Sequence, residues 1–296
     1  MSNKLIRQKR RSGHIKRTGG ERVLYTVVFV LFALLAATYL FALVWIFINS
    51  LKGSFEFAIG NAFDMPKEWL WSNYLEAIRT LKVNGTSFLG MWWNTIWLTF
   101  GVTFLSLLST IMCSYAYARY DFPGRKALYV ASVIIMTLSL PSGSAAAYRL
   151  YTEWGLTNSP LFLIGSTAGL GTNFIMFTSF YRSVSWEYAE SAFIDGANDF
   201  QTWLYVILPQ AYPLIGTVFV TSFIAGINDY TTCMLYMTDY PNIAYGLYEF
   251  AANSVRAMNY PVYFAGLVMA AIPGLFIFIT MQDSIMKNMN IGGLKG

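Results

Sequence analysis

Charge is scarce in this sequence. Asp, Glu, Lys and Arg make up 12% of its 296 residues, against roughly 25% in an average soluble domain. That shortage excludes a disordered chain, a nucleic-acid module and an ordinary cytosolic enzyme. Histidine is nearly absent, with His14 alone in the N-terminal tail. There is no H-E-x-x-H, no Ser-His-Asp set and no G-x-x-x-x-G-K-[ST] phosphate loop. The chain therefore reads as no enzyme, and it does not hydrolyse ATP by itself. The two cysteines, Cys113 and Cys233, lack metal-like spacing and read as small buried hydrophobes.

What is present is hydrophobic, at 56% of residues. Six stretches of 18 or more residues carry no charge: 23–51, 83–118, 127–148, 154–181, 200–228 and 257–282. A bilayer core about 30 Å thick takes about 20 apolar helical residues to cross. Six windows thus predict six spans. Helices are expected rather than a barrel, because Val27–Leu35 is apolar almost without alternation and a helix pairs its own backbone in lipid. The fold class is all-α, a polytopic membrane protein. At 1.5 Å per residue the first window would reach about 42 Å, so that helix tilts or protrudes. No small-x-small cleavage site follows it, which argues against a signal peptide.

Eight of the 20 Lys and Arg precede the first span. With six spans, 14 basic residues collect on one side and six on the other. The richer side is expected in the cytoplasm, with both termini. Residues 1–22 read as a basic cytoplasmic tail and 23–296 as the membrane domain. RNA is the alternative contact for such a tail; a topology signal beside lipid headgroups is the reading preferred, with no nucleic-acid partner. Trp69, Trp71 and Trp93 read as headgroup-interface residues. Pro141-Ser142-Gly143 and Pro273-Gly274 interrupt spans three and six, either as packing kinks or where backbone lines a cavity.

The most informative segment follows span four. Apolar or small residues recur at 189, 192, 193, 197, 200, 203, 204 and 207, a helical spacing broken by a turn at Gly196. Two short helices on the cytoplasmic surface suit either a groove on another protein or a flat position on lipid.

The string Glu190-Ser191-Ala192-Phe193-Ile194-Asp195-Gly196-Ala197, followed by Ile207-Leu208-Pro209, resembles the EAA loop of permease subunits of bacterial ABC importers. Other segments resemble the carbohydrate branch, that of the maltose permease. They are Trp93-Asn94-Thr95, the run from Ser114 to Arg125, Leu140-Pro141, Gly155-Leu156-x-Asn158, Phe180-Tyr181-Arg182-Ser183-Val184 and the tail from Gly292 to Gly296. Together they cover residues 93 to 296 in order. Ser191 stands where the motif has a second Ala, Ser185 and Ala147 where prolines are common, and Ile227-Asn228-Asp229-Tyr230 lacks the branch's Trp.

The resemblance implies a type I ABC importer permease fold in the bacterial cytoplasmic membrane, with a coupling loop at about 185–209. It implies a second homologous permease subunit, an ATP-binding subunit dimer, an extracellular solute-binding protein and a carbohydrate substrate, probed by alternating access. No cofactor is expected in this chain; ATP and Mg belong to the partner ATPase. Glu190, Ser191, Ala192, Asp195, Gly196, Ala197, Phe200, Leu208 and Pro209 are the expected coupling residues. Sugars are held by aromatic faces, amides and carboxylates, so Tyr115, Tyr148, Asn173, Asn228, Asp229 and Tyr230 are the candidate substrate contacts. Asp229 is either functional at membrane depth or a helix cap near the outer headgroups. A permease for amino acids or phosphate would share the loop but lack the 114–125 string. An ATP-independent carrier would have no use for the loop.

Overall fold

The computed structural model describes residues 19–137, 143–167, 169–257 and 259–289. Most of the basic tail, the Leu140-Pro141-Ser142 break and the segment Gly292–Gly296 lie outside these residues.

The first helix, α1 (Gly19–Ser50), is 32 residues long and has no covered face in its most apolar window. A helix apolar all round and left uncovered by the described residues suits lipid, and its later part packs on the last helix, with Trp45 against Phe264. Its outer end is tied down by polar groups. The Asn73 Nδ2 amide donates to the carbonyls of Ser50 and Lys52, both at 2.8 Å, which satisfies carbonyls the helix end leaves open. Lys52, buried to 1% exposure, donates to the Asn61 carbonyl. Two short outer helices follow, α2 (Ser54–Ile59) and α3 (Ser72–Thr80). A hairpin of β1 (Lys82–Val83) and β2 (Thr86–Ser87) then turns through Asn84-Gly85, both at positive φ, the dipeptide such two-residue turns favour.

Ser87 caps α4 (Phe88–Arg119), accepting a hydrogen bond from the Gly90 amide. This 32-residue rod spans about 48 Å. After it come α5 (Arg125–Thr137), α6 (Gly143–Glu153), α7 (Phe162–Gly165) and α8 (Thr172–Ser183). Helices α9 (Glu187–Ile194) and α10 (Asp199–Thr202) lead through a π turn, Trp203–Ile207, into α11 (Leu208–Ile227). The chain closes with α12 (Tyr230–Tyr236), α13 (Ile243–Ala257) and α14 (Tyr260–Met289).

Among the described residues, four helices are long and apolar enough to cross a membrane: Val23–Ser50, Phe88–Arg119, Asp199–Ile227 and Tyr260–Thr280. Of the other two expected spans, window 154–181 comes in pieces, α7 and α8, and window 127–148 is described as α5 and α6 on either side of residues 138–142. Window 154–181 is charge-free yet contains Pro160 and four glycines, which lower helix propensity. Gly171 sits at φ +108 as the residue before α8. Freedom from charge predicted the window but not its continuity. Pro273, by contrast, does not interrupt its span, since α14 runs through it.

The π turn has a local cause. Pro209 has no N–H to donate four residues back, and the Leu208 amide reaches Trp203, five back, instead. One extra residue is absorbed as the helix enters the span.

Apolar packing falls into two clusters along α4. The outer one gathers Leu81, Phe88, Met91, Leu98, Met237 and Val262. The inner one gathers Leu107, Ile111, Tyr181, Trp203, Ile207 and Val218. Between Leu98 and Leu107 the same rod presents hydroxyls instead. At this level α11 packs closely, and a Cβ on Gly226 would lie 2.7 Å from Thr99 Cγ2. Thr99 is β-branched and stiff, so Gly226→Ala is expected to cost about 1–3 kcal/mol. A lowered thermal midpoint in detergent, restored by adding Thr99→Ser, would verify this packing; an unchanged midpoint for the single variant would refute it.

Candidate functional site

The gap between the two clusters is a cavity of about 530 Å³. One wall is the stripe Thr99, Thr103, Ser106 and Thr110 on α4, whose spacing of four, three and four keeps it on one helix face. Opposite stand Val218, Ser222 and Gly226 of α11. The interrupted helix supplies Ser166, Thr172 and Asn173, so its break opens onto polar space rather than lipid. Asp229, Thr232 and Asn242 close the outer end. Among the described residues, the lining is rich in hydroxyls and amides, with one carboxylate and no Lys or Arg. Phe162 is its one aromatic residue.

Of the six candidate contacts, the cavity brings together Asn173 and Asp229. Asp229 is also the cap of α12: its carboxylate accepts from the amides of Thr231 at 3.0 Å and Thr232 at 3.2 Å, and from the Thr232 hydroxyl. Asp229 is thus a helix cap that also lines the cavity. The other four lie elsewhere. Tyr115 is buried in the inner cluster against Tyr181 and Trp203. Tyr148 is exposed on α6, its ring 6.0 Å from Tyr236. Asn228 donates to the Ile224 carbonyl one turn back. Tyr230 stacks on Tyr248 at 4.8 Å.

The hydroxyl stripe was open to sequence reading, because a helical period of Thr and Ser inside a charge-free window marks a polar face. Other short segments prove to be struts of the outer mouth. Asn94 donates to the Pro241 carbonyl, and Thr95 Oγ1 accepts the Ile243 amide at 2.9 Å. Asn158, at φ +52, exchanges hydrogen bonds with Thr238 and accepts the Asp239 amide.

The second site is the turn between α9 and α10. Helix α9 buries Ala189 and Ala192 and exposes Glu190, Ser191 and Asp195. The Ser191 hydroxyl turns back to the Glu187 carbonyl. The side chains of Glu190 and Asp195 make no hydrogen bond or ion pair among the described residues. Gly196 ends the helix at φ +85, with its amide on the Phe193 carbonyl and the Ala197 amide on Ala192, both at 3.0 Å. That is a Schellman closure, and its left-handed residue is why glycine stands there.

Asn198 then opens α10 with a capping box: its side chain accepts the Gln201 amide at 2.8 Å, and Gln201 Oε1 accepts the Asn198 amide at 3.0 Å. The turn splits the single apolar face expected from the spacing. Trp203 and Ile207 are buried, while Ile194 is 86% and Phe200 61% exposed. Leu208 and Pro209 begin α11 half-buried behind them. Tyr120 closes the floor, its phenol raised above the ordinary range by burial and then by the nearby Asp199 carboxylate. Among the described residues no group of His, Cys, Asp or Glu is set to hold a metal.

Residues 111–290 match the family model described as binding-protein-dependent transport system inner membrane component. The chain is 27% identical over 254 residues to the diacetylchitobiose uptake system permease protein NgcG of Streptomyces coelicolor, covering 84% of this chain and 82% of that one. It is 27% identical over 267 residues to the maltodextrin transport system permease protein MdxG of Bacillus subtilis, covering 88% and 95%. Among solved structures it resembles, at TM-score 0.75 and 23% identity over 90% of this chain and 98% of the other, a chain of a bacterial ABC transporter involved in the import of the acidic polysaccharide alginate.

The capping box generates a local prediction. Asn198→Ala removes one side of it and is expected to cost about 1 kcal/mol. Faster hydrogen exchange confined to residues 199–203 would report this, and unchanged exchange there would mean that the box does not hold α10.

Proposed function

Because this chain belongs to the family of binding-protein-dependent transport system inner membrane components, we propose that it is one permease subunit of an ATP-driven importer that carries an oligosaccharide into the cell. A multi-pass transport permease is not an enzyme, so the energy comes from elsewhere. The observation that carries the proposal is the exposed pair α9 and α10, whose Glu190, Ile194, Asp195 and Phe200 are left uncovered among the described residues.

An ATP-binding subunit, one of a pair that takes ATP and Mg, docks on this surface from the cytoplasm. Both termini lie on that side, following the basic residues. Gly196 lets the chain reverse tightly enough for Ser191 and Ala192 to approach the partner, and Glu190 and Asp195 supply charge at the contact. The partner must hold the two conformations of the permease with different affinity, since equal binding would shift nothing. Its closure tilts the helices around the cavity, which opens alternately outward and inward.

A second, homologous permease chain completes the cavity. A solute-binding protein delivers the sugar at the outer mouth, near the struts of Asn94 and Asn158. The hydroxyl and amide lining, with Asp229 at the outer end, suits a polyhydroxylated solute that must bind weakly enough to leave. The resemblance of the whole 93–296 run to the carbohydrate branch and the names of the relatives support that substrate class.

Gly196→Val tests the docking. Nothing lies within 4 Å of the added Cβ, so the change acts through the left-handed backbone, at about 1–2 kcal/mol. We expect the variant to stay in the membrane at normal level, to lose the co-purifying ATP-binding subunit and to lose uptake. Gly196→Asn, which tolerates that conformation better, should retain part of both. Normal uptake by Gly196→Val would reject the docking role.

A further inference from the structure

Arg119 occupies the last turn of α4, at the far end of the rod whose middle forms the hydroxyl wall of the cavity. Its Nη2 donates to the Val184 carbonyl at 2.7 Å. Its guanidinium also lies over the Trp186 ring, 5.1 Å from the centroid. Val184 follows the last residue of α8, and Trp186 precedes the first residue of α9. One side chain thus grips both ends of the three-residue linker that carries the docking helix.

Val184 also packs on the inner cluster, and α9 beyond it buries Ala189 and Ala192, but no helix runs through residues 184–186. Val184 is extended, at φ −70 and ψ 127, and the helices on either side share no continuous backbone ladder across it. The other two arginines at this end do a different job. Arg125 and Arg182 both lie over Tyr117, at 5.0 and 5.2 Å, and so hold α4, α5 and α8 together without reaching the linker. A charged donor on a carbonyl is stronger than a neutral one, and a planar guanidinium can stack and donate together where an ammonium cannot.

We propose that Arg119 is the positioning residue that makes the docking helix and the cavity wall move as one body. The inference rests on the proposed function and deepens it by naming the joint. With Arg119 in place, a pull on α9 displaces α4, and with it Thr99 to Thr110. Without it, the linker flexes and the partner's closure is dissipated before it reaches the cavity. Arg119 touches neither solute nor nucleotide; it acts through Val184 and Trp186.

The test uses the assembled complex, purified with its ATP-binding subunit and reconstituted with its binding protein. Solute taken up per ATP hydrolysed is read together with subunit stoichiometry. Arg119→Gln should keep the ATP-binding subunit and continue to hydrolyse ATP, while solute per ATP falls about tenfold, as expected for losing one charge-assisted hydrogen bond. Arg119→Lys should fall between. Trp186→Leu should lower the same ratio, and the double variant should lose less than the product of the two, because both act on one joint.

An unchanged ratio in Arg119→Gln overturns this inference alone. Loss of the ATP-binding subunit from Arg119→Gln overturns it too, since the residue would then serve docking. A wild-type chain that recruits no ATP-binding subunit overturns the proposed function, and this inference with it.

Discussion

A backbone amide or carbonyl left unpaired in hydrocarbon costs several kcal/mol, and this one constraint decides where the chain can afford to be irregular. Helices α1, α4, α11 and α14 meet it by continuity. The breaks fall where something else can satisfy the backbone. The gap between α7 and α8 opens on the cavity, and the turn at Gly196 pairs its own amides with Phe193 and Ala192 outside the membrane. Even the helix ends follow the rule, with Asn73 on the carbonyls of Ser50 and Lys52 and Asp229 on the amides of α12.

From this follows the division of the molecule into two packed clusters with a polar gap between them. Interiors packed to crystal density do not deform gradually; they shift as blocks. The outer cluster carries the mouth, braced by Asn94, Thr95 and Asn158. The inner cluster carries Trp203 and Tyr181, beside the exposed turn at Gly196. Helix α4 runs through both, so a tilt of that rod changes the cavity and the cytoplasmic face together. The electrostatics agree: among the described residues, cavity charge is that of Asp229, whereas the far end of α4 concentrates arginines on aromatic rings.

Much of this was legible in the sequence, for physical reasons that differ from element to element. Long charge-free windows gave the continuous spans because lipid tolerates little else. Gly196 was legible because only glycine closes a Schellman turn without strain. The pieces of the fourth window were not, since absence of charge says nothing about glycine content, and Gly171 shows its left-handed angle only in space. Tyr115 misled because aromaticity alone does not distinguish a sugar platform from a core residue. The stripe from Thr99 to Thr110 was the missed signal, a helical period in hydroxyls rather than in apolar side chains.

The central claim is that this chain moves solute only when driven from its cytoplasmic turn. The most direct measurement is uptake of a labelled maltodextrin or chitin oligosaccharide series into liposomes holding the purified assembly, with ATP trapped inside or left out and the binding protein outside. The account predicts accumulation of at least one oligosaccharide that requires internal ATP and is lost when the ATP-binding subunit is omitted. Uptake by this chain alone, equal with and without ATP, would contradict it.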